Sequence, residues 1–187
     1  TVRAMTVLGL ERIAAIRSDP ARCTRVVGAA LVDRSRPFLP EDQTQLYYTP
    51  GYALLDLEQR IRYNQLFGLR VNEYIMMLER EFVEPVLRAL RLRARRFGSA
   101  SLVRELEVMR EEEEAHYDAF AALNRRCEPE SYAANDYWFM QLKPYERAMI
   151  AAMKAGARFL PFALWIIVAM EESSIGLAAA MRRAGDT

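Results

Sequence analysis

Two long stretches of this 187-residue chain, 55–92 and 99–126, carry apolar residues at the three- and four-residue spacing of amphipathic helices. A third helical pattern runs from Pro144, which suits a first turn, to about Arg183, and Pro161 within it predicts a kink. No stretch shows the apolar–polar alternation of a strand. Helices of this length bury their apolar faces against one another. We therefore predict an all-α fold, a bundle of long antiparallel helices.

Shorter helices and connections account for the rest of the chain. Helices are predicted at 2–17 and 21–32, and the proline-rich segment 33–51 predicts an extended arm that packs across the bundle. Residues 127–144 predict a loop with aromatic residues at its centre. The length suits one domain, so we expect a single helical-bundle domain over residues 1–187.

The composition argues against several classes of function. A hydrophobic content of 52% with 27% charged residues is typical of a soluble globular protein. The net charge of +1 predicts binding neither to nucleic acid nor to a membrane surface. The apolar run 159–170 is too short to span a bilayer. Cys23 and Cys127 are far apart and lack metal-ligand spacing, so we expect a reducing, cytoplasmic compartment.

The only histidine of the chain follows a glutamate by three residues within the stretch 99–126. The spacing Glu113-x-x-His116 is the one that carboxylate-bridged dinuclear metal sites place on an inward helix face. Glu113 continues the apolar stripe of Met109 and Phe120, so its carboxylate is expected to point inward. An inward carboxylate needs a compensating charge, which a divalent metal ion or an arginine can provide.

The other two long helices each offer one inward carboxylate. Glu79 follows the apolar stripe of its helix, whereas Glu73 and Glu81 are expected to be solvated. On the last helix Glu171 is the inward candidate, and Glu172 is the alternative because the proline kink can rotate the register. The predicted metal ligands are Glu79, Glu113, His116 and Glu171.

The pattern resembles the p-aminobenzoate N-oxygenase family, whose members are ferritin-like di-iron oxygenases. The motifs that carry the resemblance, within residues 33–180, are Tyr63-Asn64-Gln65-Leu66, Asn72-Glu73-Tyr74-Ile75, Leu78-Glu79, Glu113-x-x-His116 and Ala169-Met170-Glu171-Glu172. The resemblance implies two iron ions, with manganese as the alternative. It makes Glu79 the ligand from the first helix, Glu113 and His116 the pair from the second, and Glu171 the ligand from the third.

The activity that the resemblance implies is oxygenation of an amine, in particular an arylamine, by dioxygen activated at the metal ions. Carboxylate oxygens and imidazole suit iron or manganese. Asn72 and Tyr117 are expected to hydrogen-bond the ligands and orient them. The expected partners are a small-molecule amine, dioxygen, an electron donor that the sequence does not identify, and a second copy of the chain in a homodimer.

Two other classes of protein stay open on the sequence alone. One is a di-metal hydroxylase or desaturase of an alkyl substrate, and the other is a non-enzymatic helical scaffold whose inward glutamates pair with arginines. The resembled family completes its site from a further ligand-bearing helix with more histidines, whereas this chain has one histidine and ends at Thr187. We therefore expect that last helix to be truncated, disordered or supplied by a partner.

Overall fold

All the regular secondary structure that the computed structural model describes is helical, so the predicted all-α class is confirmed. The residues that it describes are 32–156, 159, 162, 164–170, 172, 173, 176 and 179. The helix predicted at 2–17, the helix predicted at 21–32 except for its last residue, and the kink predicted at Pro161 lie outside these residues. Among the described residues, no helix is both long and apolar enough to cross a bilayer.

The helices follow the predicted stretches closely. In chain order they are α1 (Pro50–Ala53), α2 (Leu57–Leu78), a π-helical segment (Glu79–Val83), α3 (Glu84–Arg96), α4 (Ala100–Cys127) and α5 (Pro144–Gly156). The stretch predicted as one helix over 55–92 thus contains a π-helical interruption and continues to Arg96. Helix α4 agrees with its prediction to within one residue, and Pro144 begins α5 as predicted. Residues 164–170 are also helical.

Local sequence signals mark the start of α2, the end of α3 and the start of α4. Asp56 caps α2 in a reciprocal capping box: Gln59 N donates to Asp56 Oδ1 at 2.9 Å, and Asp56 N donates to Gln59 Oε1 at 3.0 Å. Helix α3 ends at Arg96, and Gly98, two residues further on, has a left-handed φ of 70° that suits glycine. Ser99 then occupies the N-cap of α4, although its side chain makes no capping hydrogen bond there.

Two buried amide side chains of α2 fasten the arm that precedes α1. Asn64 Oδ1 accepts from Phe38 N at 2.8 Å and Leu39 N at 2.9 Å, and Asn64 Nδ2 donates to Leu39 O at 2.7 Å. Gln65 Nε2 donates to two further carbonyls of the arm. The arm therefore packs on a bundle helix as predicted, but it contains two 3-10 turns at 41–48 and is not extended throughout.

The largest buried apolar cluster surrounds the π-helical segment. Its buried members are Phe82, Val83, Val86, Leu87 and Ile167. Side chains of α4 and α5, among them Leu106, Met109 and Met153, pack against it. Helices α2 and α3 both contact α4, and α5 contacts the π-helical segment. This segment is therefore the place where the helices meet, and it carries the first predicted ligand.

Candidate metal centre

The π-helical segment begins at Glu79 itself. Glu84 N donates to Glu79 O, five residues back, which is the hydrogen bond that defines a π turn. Glu79, Phe82 and Val83 of this segment are all buried. Such turns are rare in helices and frequently occur at functional sites. The segment therefore brings a carboxylate to the apolar centre of the bundle.

Three of the four predicted ligands come together. His116 Nδ1 lies 3.9 Å from Glu79 Oε1 and 4.0 Å from Glu113 Oε2. One ligand atom from each of these three residues lies within 4.8 Å of the other two. The carboxylate side chains are each 11% exposed, whereas the imidazole side chain is 47% exposed. The two carboxylates therefore lie on the buried side of the group, and the imidazole lies on its solvent side.

The donor set and its spacing fit one divalent ion. Ligand atoms that share an ion at about 2.1 Å lie about 3 to 4 Å apart, which is close to the separations between these three side chains. Carboxylate oxygens with one imidazole suit iron or manganese. Two largely buried carboxylates that lie close together also repel each other, and a cation would offset that repulsion. Three residues do not complete a site for two ions, so a second ion would need further ligands.

The remaining predicted residues have other positions. Glu171 lies outside the described residues, and its alternative Glu172 is exposed. In the part of the chain that the structure describes, the group with metal-ligand spacing does not include Glu172. Asn72 Nδ2 donates to Asn124 Oδ1 at 2.9 Å. Tyr117, directly after His116, is hydrogen-bonded to Arg80 and Asp136.

Tyr117 joins the metal-site helices to the loop 128–143. Its hydroxyl accepts from Arg80 Nη1 at 2.9 Å and donates to Asp136 Oδ2 at 3.0 Å. The guanidinium of Arg80 also stands over the Tyr117 ring, 5.1 Å from its centroid. Asp136 is ion-paired with Arg125 as well. Burial, and then a hydrogen bond to Tyr117, raise the pKa of Tyr137.

Glu73 is buried, and the prediction that it is solvated is wrong. Its side chain is 0% exposed and accepts from the Tyr132 hydroxyl at 2.6 Å. The backbone amides of residues 138–140 donate to the same carboxylate over 2.7 to 3.1 Å. Burial, and then the hydrogen bond to Glu73, raise the pKa of Tyr132. Four donors thus hold this carboxylate, and it anchors the loop 128–143 to α2.

The error at Glu73 has a clear origin. A helical wheel assigns a wet face from charged residues, and it does not show that a distant loop covers that face. The sequence did contain a contrary signal, because Leu69, Met76 and Met77 lie four residues before and three and four after Glu73, and all are buried. Glu81, the other glutamate predicted to be solvated, is partly exposed and ion-paired with Lys154.

A groove of about 740 Å³ opens beside the metal-site carboxylates. The π-helical segment and α3 form one wall, and α4 forms the other. Its lining includes Glu79, Glu113 and Tyr117, the arginines Arg80, Arg88 and Arg110, the acidic residues Glu84, Glu114 and Asp118, and three apolar residues, Pro85, Ala89 and Leu92. The groove is therefore a cavity of ligand size that contains both inward carboxylates.

Comparisons with protein-family models, with curated proteins and with solved structures find no match to this chain. Helical bundles support many unrelated functions, so the fold class alone does not assign one. The function is therefore inferred from the geometry of Glu79, Glu113 and His116.

Proposed function

We propose that this protein is a non-haem di-iron or di-manganese oxygenase that uses dioxygen to oxygenate an amine, in particular an arylamine. The single observation that carries the proposal is the meeting of Glu79, Glu113 and His116 at the π-helical segment. The ferritin-like arrangement of antiparallel helices and the homodimer expected from the sequence belong to the same proposal.

The proposed ligand residues supply different donor atoms to the metal. Glu79 and Glu113 offer hard oxygen donors from the apolar side of the site, and His116 offers a nitrogen donor from the more exposed side. Iron or manganese bound there, with open coordination positions, supplies the redox chemistry that activates dioxygen. Phe82 and Val83, buried in the same turn as Glu79, keep water from the inner side. Glu171 is proposed as a ligand for the second ion.

The groove supports a small-molecule substrate. Its volume of about 740 Å³ lies in the range typical of small-molecule sites, about 300 to 1,000 Å³. Pro85, Ala89 and Leu92 provide an apolar wall for an aromatic ring. Glu79 and Glu113 line the same groove, so a nitrogen substituent on that ring can approach the metal ligands without crossing the core.

Metal analysis of the purified protein tests the proposal. After expression with iron and manganese supplied together, we expect bound iron or manganese, and oxygen uptake when a simple aromatic amine and a reductant are added. Mass spectrometry of the product should show oxygen added to nitrogen. Protein that contains no metal under these conditions would refute the oxygenase and support the scaffold, whereas turnover of an alkyl substrate instead of amines would identify a hydroxylase or desaturase.

A matched pair of variants in the π-helical segment serves as the control. Glu79→Gln replaces a proposed ligand and should lose metal, because an amide is a far weaker donor for iron than a carboxylate. Glu81→Gln makes the same chemical change two residues away, where the side chain is partly exposed and paired with Lys154. Equal metal content in the two variants would contradict the assignment of Glu79.

A further inference from the structure

We propose that Arg80 and Tyr117 form a clamp that sets the separation of the metal ligands, with both acting as positioning residues. This inference rests on the proposed metal site. Each clamp residue directly follows a ligand in the chain, Arg80 after Glu79 and Tyr117 after His116. Neighbouring Cα atoms are about 3.8 Å apart, so a contact between the clamp side chains constrains the same backbone that carries the ligands.

The clamp contact has two components. Arg80 Nη1 donates to the Tyr117 hydroxyl at 2.9 Å, and the guanidinium stands over the phenol ring at 5.1 Å from its centroid. The first component requires the hydroxyl, and the second requires only the ring. Removal of the hydroxyl alone therefore separates the hydrogen bond from the stacking without changing the size of the side chain appreciably.

The Tyr117 hydroxyl makes two hydrogen bonds. It donates to Asp136 Oδ2 at 3.0 Å and accepts from Arg80 Nη1 at 2.9 Å. Asp136 is ion-paired with Arg125, so the clamp is attached at one end to the π-helical segment and at the other to α4 and the following loop.

Ligand separation is the quantity that such a clamp controls. His116 Nδ1 lies 3.9 and 4.0 Å from the two carboxylate oxygens, which is beyond hydrogen-bond distance. Direct hydrogen bonds between the imidazole and these two oxygens therefore do not set their spacing. The Arg80–Tyr117 contact bridges the π-helical segment and α4 beside the ligands, so it can constrain the separation of these two elements.

Cobalt(II) titration of the full-length protein tests the clamp without relying on turnover. Visible absorption of bound cobalt reports both the dissociation constant and the coordination geometry. We expect Tyr117→Phe to bind cobalt about tenfold more weakly and with an altered spectrum, because loss of groups that orient metal ligands typically weakens affinity about 10- to 100-fold. Tyr74→Phe, which removes a hydroxyl from an exposed tyrosine of α2, should match the wild type.

A second position keeps the test informative if Tyr117→Phe unfolds. Arg80 is exposed, so its replacement does not disturb the core. Arg80→Ala should weaken cobalt binding, and Arg80→Lys, which keeps the charge and one donor, should recover part of the loss. Wild-type affinity and spectrum in Tyr117→Phe or Arg80→Ala would overturn the clamp and leave the metal site intact. Absence of cobalt binding in the wild type would overturn the proposed metal site and the clamp with it.

Discussion

Replacement of Glu73 by alanine should destabilise the protein strongly, although Glu73 is not one of the predicted metal ligands. The substitution removes the acceptor of the Tyr132 hydroxyl and of three successive backbone amides at 138–140. A hydrogen bond to a charged group contributes about 1.5 to 3 kcal/mol, and removal of one partner from a buried charged network costs about 3 to 5 kcal/mol. The amides at 138–140 are only partly buried and can recruit water. We therefore expect Glu73→Ala to lower the free energy of unfolding by about 3 kcal/mol.

Urea unfolding followed by circular dichroism measures this change, and hydrogen exchange at the amides of 138–140 locates it. Glu73→Gln keeps one acceptor oxygen but turns an amide NH₂ toward backbone donors, so its loss should be smaller than that of alanine. Glu81→Ala is the control, since a partly exposed ion pair contributes less than about 1 kcal/mol. Equal losses in Glu73→Ala and Glu81→Ala, or unchanged exchange at 138–140, would refute the view that this carboxylate holds the loop.

Other side chains give tests of site register, thiol burial and pH dependence. Glu113→Ala should abolish metal binding and oxygen uptake, whereas Glu112→Ala, an exposed neighbour, should leave both largely intact; equal losses would contradict the helical register. Burial raises the pKa of the Cys127 thiol, so peptide mapping should find it unalkylated by iodoacetamide in the folded protein and labelled after unfolding; rapid labelling of the folded protein would contradict its burial. A hydrogen bond from Arg62 lowers the pKa of Glu128 below its ordinary value of 4.5. The charged Glu128 therefore contributes its full stabilisation above pH 4.5, and this is lost as the pH falls through the lowered pKa. The difference in free energy of unfolding between wild type and Glu128→Gln should shrink on acidification. A constant difference would refute this.

Helical periodicity was sufficient for much of the fold and for part of the site. It placed α4 to within one residue and separated Glu113, whose side chain is 11% exposed, from the exposed Glu112. Both results depend only on the spacing of apolar residues within one helix, which is a local property of the sequence. The capping box of Asp56 and Gln59 was equally visible in the sequence, since a carboxylate precedes Gln59 by three residues.

Features that depend on distant segments could not be predicted in this way. The apolar residues at helical spacing around Glu73 could have indicated its burial, but they do not identify residues 132–140, about 60 positions along the chain, as the segment that covers it. The π turn at Glu79 likewise depends on the packing of α2 and α3 against α4. An isolated helix of this composition would favour ordinary α-helical hydrogen bonding. Asn72 and Tyr117 were predicted to hydrogen-bond the metal ligands, whereas the hydrogen bonds seen here join Asn72 to Asn124 and Tyr117 to Arg80 and Asp136.

Helix length, and not only residue identity, decides whether Glu79 can reach Glu113. Successive residues of an α-helix are about 100° apart, so the one-residue excess of the π turn offsets α2 from α3 by one such step. Deletion of a single residue such as Glu81 would restore regular helical bonding and turn Glu79 relative to α3 and α4, while every proposed ligand residue stays in the chain. In homologous chains, the number of residues between Asp56 and Gly98 would therefore reveal loss of the site even where all the ligand residues are present.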